Sequence, residues 1–296
     1  MEKAEKMDKK YEIFQELTEN YIKKMFSEKT AQPDLWEIME YAVLNGGKRI
    51  RPVLLLAAYE LINGKDLEKA VPFAAALELI HSFSLVHDDL PAMDNDDLRR
   101  GKPTCHKKFN EYGAILAGDA LHTLAFEIML ESAYNFDIKL SVKAMNKIAS
   151  SLGASGMCAG QMADMSDEIK DFKTLSEMHK NKTGALINAA VAAGAILGGA
   201  NDKEIEILSE YADLIGMLFQ IKDDILDVTS DNKTLGKPIF SDQKNNKLTY
   251  ASAFGLGKCY DLLEEYCEKA VLLLGKIDYD TEFLKNLAIF IKTRNK

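Results

Sequence analysis

The sequence predicts an all-α protein built as one domain, and three observations carry that expectation. Apolar residues recur at helical intervals nearly throughout; Trp36, Met39 and Val43 fall three, four and seven apart, as do Leu208, Tyr211 and Ile215. No run of alternating β-branched residues bounded by turn signals stands out. The breaks between periodic stretches are short and polar: Asn45-Gly46-Gly47, Asn63-Gly64 and Gly198-Gly199-Ala200-Asn201. At 296 residues the chain could hold two domains or one large helical one. No Pro/Ser linker and no fixed-period repeat divides it, so residues 1–296 read as a single domain. Eighteen glycines and six prolines are too few for a disordered protein.

The net charge of −9 argues against nucleic acid and anionic membrane as general partners. It leaves room for an anionic small substrate at a locally basic site. Cys105, Cys158, Cys259 and Cys267 show neither a CxxC pair nor zinc-like spacing, which suits a reducing compartment. The charged start MEKAEKMDKKYEIF lacks the apolar stretch of a signal peptide. The longest apolar run, from Gly184 to Ala200, is shorter than the ~20 residues of a membrane span and reads as a buried core helix. Its Ala189, Ala190, Ala192, Ala193 and Gly194 suit close helix packing rather than chemistry. The expected location is the cytoplasm, with no membrane span.

Two aspartate-rich segments stand far apart in the chain. The first is His87-Asp88-Asp89-Leu90-Pro91-Ala92-Met93-Asp94, the second Gln220-Ile221-Lys222-Asp223-Asp224-Ile225-Leu226-Asp227. Each follows an apolar helical stretch, where carboxylates are costly unless something positive lies between them. Asp223 and Asp227, four apart, share a helix face with Gln220. The step from Asp88 to Asp94 does not share a face, but Pro91 disfavours helix at Leu90. The helix should end there, and Asp94 could fold back from the following loop toward Asp88. A lone DDxxD is ordinarily a solvated helix end. Two clusters of oxygen-only ligands instead suit hard cations such as Mg²⁺, bound through a few carboxylates together with substrate phosphates.

Basic groups follow the same pattern. Leu98-Arg99-Arg100-Gly101-Lys102-Pro103-Thr104 comes after the first cluster, and paired arginines there are either surface ion pairs or bidentate phosphate ligands. Upstream, Gly46-Gly47-Lys48-Arg49-Ile50-Arg51-Pro52 is a glycine turn entering a helix with three cations, a plausible diphosphate cradle. Lys182-Thr183-Gly184 and Gly236-Lys237-Pro238 add further cations near helix breaks, and Lys247 lies in the polar stretch after the second cluster. A metal clamp and a separate basic cradle suggest two diphosphate sites.

Together these segments resemble the trans-isoprenyl diphosphate synthases, most closely the bacterial farnesyl-producing group. The resemblance rests on GGKRIRP at 46–52, SLVHDDLPAMDNDDLRRGKPTCH at 84–106, KTG at 182–184, FQIKDDILD at 219–227 and GKP at 236–238, in order over roughly residues 35–250. It implies a bundle of mostly antiparallel helices around a deep central cavity, as a homodimer. It implies Mg²⁺, three ions bound with the allylic diphosphate, held by Asp88, Asp94 and Asp223, with Asp89, Asp224 and Asp227 binding directly or through water. Arg99, Lys182 and Lys237 would hold the allylic diphosphate. Lys48, Arg51, His81 and Arg100 would hold isopentenyl diphosphate, with Phe219 packed against it. Thr183 and Gln220 would lie beside the developing allylic cation. Gln161 and Asp164 match polar positions of the family cavity.

The implied reaction is Mg²⁺-dependent head-to-tail condensation of isopentenyl diphosphate with dimethylallyl or geranyl diphosphate to (2E,6E)-farnesyl diphosphate. Phe83 and Ser84 precede Asp88 by five and four residues, roughly 6–8 Å deeper along a helix at ~1.5 Å per residue. A ring there could floor the pocket and stop growth at fifteen carbons, although most phenylalanines are ordinary core. The alternatives are a geranylgeranyl or other short-chain synthase, a terpene cyclase, or a non-catalytic regulatory subunit. The retained Lys48, Arg51 and Arg100 speak against a cyclase, and both aspartate clusters speak against a subunit that has lost activity. The polar stretch 229–247 is expected to close over the site.

Overall fold

The computed structural model of the chain describes residues 2–28, 32–166, 169, 171–229 and 248–294, the side chains of residues 2–5 excepted. Its elements are helical apart from one minimal hairpin. Helices α1 (Glu2–Ser27), α2 (Pro33–Val43), α3 (Ile50–Asn63) and α4 (Leu67–Asp88) lead to β1 (Leu98–Arg99) and β2 (Lys102–Pro103). Helices α5 (Cys105–Lys108), α6 (Glu111–Ser132), α7 (Ile138–Leu152), α8 (Met157–Asp164) and α9 (Phe172–His179) follow. A π-turn, Lys180–Gly184, joins α9 to α10 (Ala185–Gly198). The chain then runs through α11 (Asp202–Thr229), α12 (Tyr250–Leu273) and α13 (Glu282–Thr293).

Local chemistry sets the boundaries. Pro33 opens α2, where its missing N–H costs nothing. Asn110 caps α6 by accepting from the Gly113 N–H, and Asp171 and Thr174 form a reciprocal cap on α9. Gly64 and Gly199 end α3 and α10 with left-handed backbone. All three expected breaks are thus real chain turns. The hairpin was not foreshadowed, because two-residue strands leave no alternation to read. Its turn residues Arg100 and Gly101 both have positive φ, 55° and 77°, which matches the tight turn of a two-residue β-hairpin.

Helix α10 is the centre of the bundle, with every residue from Leu186 to Leu197 buried. It packs on α3, α7 and α11, while α4 packs on α3 and α6. The small residues make the approach possible, since a Cβ on Gly194 would collide with the Leu55 carbonyl of α3. Gly194→Ala should therefore lower stability by about 1–3 kcal/mol. A chemical denaturation curve would show this as a lower midpoint at unchanged slope.

By length and composition, Leu67–Asp88 and Glu111–Asn135 could each cross a membrane, a test that core helices also pass. The apolar window of Leu67–Asp88 is 72% buried inside the bundle, as a core helix should be.

Candidate active site

A cavity of about 540 Å³ opens between α4, α8 and the π-turn. Arg51, His81, Phe83, Ser84, Asp88, Gln161, Lys182 and Thr183 all contribute to its wall. Eight residues singled out from sequence alone thus share one space. The lining grades from charged, at Asp88 and Lys182, to aromatic at Phe83. Phe83 rests on His122 of α6, with ring centroids 4.8 Å apart, and His122 in turn meets Phe126. The Ser84 hydroxyl is turned back along its helix, donating to the His81 carbonyl at 2.9 Å.

Helix α4 stops at Asp88, and the Asp94 N–H returns to the Asp88 carbonyl at 2.9 Å. The fold-back expected from Pro91 is present. Burial raises the Asp88 carboxyl to a pKa of about 6, with Lys182 pulling it down and Asp94 pushing it up. Asp89 has a different surrounding. Only 3% exposed, it receives the Arg99 Nε at 2.7 and 2.9 Å on its two oxygens. The structure therefore sets Arg99 and Asp89 against each other, beside Tyr41 and Thr104. Neither lines the main cavity.

In the second cluster the three aspartates also diverge. Asp223 keeps 43% of its side chain exposed and pairs with Arg294 at 2.5 Å. Asp224, 2% exposed, accepts the Tyr250 N–H at 2.7 Å and the Gln220 Nε2 at 3.0 Å. It joins α11 to the start of α12 and fixes the Gln220 amide, whose Oε1 accepts from the Thr183 hydroxyl at 3.3 Å. Asp227 is buried. The Phe219 ring lies 4.3 Å from the Arg294 guanidinium carbon and 5.6 Å from the Lys48 ammonium, within range of both cations.

Tyr250 also carries a stacked neighbour, His179, at 5.4 Å between centroids and 27° between planes. Burial depresses the His179 pKa from 6.5 to about 4. Its folded value lies below the unfolded one, so its contribution is intact above pH 6.5. Stability then falls as acid drives the unfolded histidine to charge first. Between pH 6.5 and 5 this residue should cost about 2 kcal/mol. Urea titrations at both pH values should show a smaller acid loss in His179→Phe than in the parent.

The basic cradle is built from three directions. The loop entering α3 uses positive φ at Gly46, Gly47 and Arg49 (83°, 128° and 52°). From α1, the Tyr11 hydroxyl and Gln15 Nε2 both donate to the Lys48 carbonyl. Arg49 is buried on Glu78 at 2.6 Å and on the Val43 carbonyl at 2.8 Å. Arg100 donates to the Gly46 carbonyl, and a Cβ on Gly47 would strike its guanidinium at 2.6 Å. Arg51 points into the cavity with its Nε buried and without a partner, and burial lowers its pKa to about 10. His81 is held neutral by burial and then by the field of Arg51, Arg100, Arg99 and Arg49. The Gln161 amide faces the same cavity with both ends buried and unpartnered, and Lys182 binds Asp164 at 2.7 Å. Unpaired buried donors around a cationic rim are costly unless a ligand satisfies them.

Lys237, Lys247 and most of the stretch 229–247 lie outside the described residues. Among the described residues, no three acidic, histidine or cysteine groups come together closely enough to hold a metal by themselves. The donor set still fits Mg²⁺. It is oxygen-only, and the half-buried Asp88 lacks full neutralisation, so a hard cation arriving with phosphate oxygens suits it.

Sequence reasoning missed Arg294, Tyr11, Gln15 and the Arg49–Glu78 pair. Arg294 had a signal, since Lys292, Arg294 and Lys296 cluster at the end of an acidic chain. Tyr11 and Gln15 had none, as only the packing of α1 brings them to the loop.

The profile of the family described as polyprenyl synthetase matches residues 32–271. A farnesyl diphosphate synthase of Micrococcus luteus is 45% identical, over 90% of this chain and 91% of its own. A geranylgeranyl diphosphate synthase of Cyanophora paradoxa is 44% identical, over 88% of each. The crystal structure of a geranyltransferase from Legionella pneumophila superposes with a TM-score of 0.87 at 32% identity, covering 99% of this chain and 98% of that one.

Proposed function

Because the chain belongs to the polyprenyl synthetase family, we propose that it is a farnesyl diphosphate synthase. It joins isopentenyl diphosphate head-to-tail to dimethylallyl and then geranyl diphosphate. The observation that carries this reading is one cavity whose wall combines the acidic Asp88, the cationic Arg51 and Lys182, and the aromatic ring of Phe83. We read residues 1–296 as a single synthase domain of a soluble, cytoplasmic enzyme.

Mg²⁺ would be held by Asp88, Asp94 and Asp223, with Asp89, Asp224 and Asp227 binding directly or through water. Bound there it would neutralise the charge growing on the departing diphosphate. Lys182, Arg99 and Lys237 bind the allylic diphosphate, and Lys247 is a further substrate-binding cation. When the allylic C–O bond breaks, its electron pair leaves with the diphosphate. The cation left behind faces the Thr183 hydroxyl and the Gln220 amide oxygen, which the Asp224 anchor orients. Lys48, Arg51, His81 and Arg100 hold isopentenyl diphosphate, with Phe219 against its hydrocarbon. Neutral His81 donates or accepts a hydrogen bond there without taking up a proton. The isopentenyl double bond attacks the cation, and the released diphosphate takes the proton lost in forming the new alkene.

The reading includes a homodimer. Tyr112, Leu116, Leu130 and Tyr134 are exposed along the outer side of α6 and the turn that ends it. These are two exposed apolar patches, one near each end of α6, and we read them as the surface that meets the second copy. Sedimentation should give twice the chain mass, and Leu116→Glu should shift the protein toward monomer.

Incubation with Mg²⁺, labelled isopentenyl diphosphate and each of the dimethylallyl, geranyl and farnesyl starters tests the activity. A fifteen-carbon product from the two shorter starters, abolished by EDTA, is expected. Mainly twenty-carbon product would favour a geranylgeranyl synthase. No elongation by folded protein would favour a regulatory subunit.

A further inference from the structure

The π-turn serves two concavities. Its Lys182 and Thr183 face the catalytic cavity, while Lys180 and Asn181 line a separate crevice of about 380 Å³. The end of α7 supplies Lys147 and Ser150 to this crevice, α10 supplies Asn188 and α11 supplies Asp213.

Asn188 is nine-tenths buried, and its Nδ2 donates to the Ser209 carbonyl at 2.9 Å and to Asp213 Oδ1 at 2.7 Å. Both partners are acceptors, so the amide orientation is fixed. Its Oδ1 is left buried with no donor. Lys180 pairs with Asp213 at 3.2 Å. The half-buried Lys147 ammonium has no ion pair of that kind among the described residues. Burial, and after it the neighbouring Lys180, press its pKa down against the pull of Asp213. Two ammoniums against one carboxylate call for an anion, and a buried acceptor without a donor calls for a hydroxyl or amine. The wall is mostly polar, so a prenyl chain would gain little there.

We propose that this crevice is a second ligand site, taking a small phosphorylated polyol. The phosphate lies between Lys147 and Lys180, and a hydroxyl of the ligand donates to Asn188 Oδ1. Inorganic phosphate would satisfy the lysines but leave the asparagine oxygen unmet. Glycerol would do the reverse.

Calorimetric titration with glycerol 3-phosphate tests this on four full-length proteins: the parent, Lys147→Glu, Lys180→Gln and Lys182→Ala. Losing a charged partner of the phosphate should weaken binding about tenfold or more in each crevice variant. Lys182→Ala, altered in the catalytic cavity, should bind as the parent does. If Lys147→Glu melts early, Lys180→Gln carries the comparison alone. Binding lost in Lys182→Ala and kept in the crevice variants would put the ligand in the catalytic cavity and overturn the proposal. Absence of binding at millimolar concentrations would overturn it too, whether or not prenyl transfer is found. Inorganic phosphate binding as tightly as glycerol 3-phosphate would overturn the polyol assignment.

Discussion

Replacing Asp88 with asparagine should lower kcat by roughly 10³-fold, since removing one group aimed at charge developing in a transition state typically costs 10²–10³. The shape of the side chain is kept and only its charge is lost. The same substitution should make the protein more stable at pH 7. The folded Asp88 carboxyl has a pKa of about 6 against 3.8 for the free group, chiefly because it is buried. Folding therefore favours its protonated form, and the penalty for the anion grows as pH rises through 6. Asparagine removes that penalty, worth about 1–3 kcal/mol. A slower enzyme with a higher urea midpoint is the expected pair of results. A variant as active as the parent would remove Asp88 from the reaction, and one that is merely unfolded would contradict the stability sign.

Phe83→Ala should move the product from fifteen to twenty carbons, with the twenty-to-fifteen ratio rising roughly tenfold or more. Contacts of one or two methylenes already discriminate ~10–200-fold in a pocket, and here a whole ring gives way to a five-carbon unit. His122, whose ring centroid lies 4.8 Å from that of Phe83, is then the expected next surface for the tail. The additional substitution His122→Ala should lengthen the product again. Phe83 borders a cavity rather than filling closed core, so its truncation should cost less than the 3–5 kcal/mol of a fully buried phenylalanine. Chromatography of the dephosphorylated alcohols reads the result. An unchanged fifteen-carbon profile would place the stop elsewhere.

The fold was legible because helices announce themselves by period, and this chain carries that period nearly end to end. The return of Asp94 to Asp88 was legible for a local reason, since Pro91 forbids the helix from going on. What lay between neighbouring residues was harder. Adjacent positions on a helix diverge by about 100°, so Asp88 and Asp89, or Asp223 and Asp224, cannot share one direction. Spacing alone does not say which of each pair turns inward. The packing of Arg99 on Asp89 and of Tyr250 on Asp224 decides it. Tyr11 and Gln15 reach the Lys48 carbonyl from more than thirty positions away, a separation over which sequence pattern is silent.

The π-turn at Lys180–Gly184 has a consequence for how this chain can change over time. Its backbone is gripped on two sides, since a Cβ on Gly160 would collide with Lys182 and one on Gly216 would touch Gly184 at 3.1 Å. A π-turn accommodates an extra residue within a helix. Deleting one residue would rewind the segment as α-helix and rotate one side of it by about 100° relative to the other. Lys182 and Thr183 would then swap faces with their neighbours while every residue type stayed the same. The length of the segment is therefore as constrained as the identities of Lys182 and Thr183, because either change takes these two side chains out of the cavity wall.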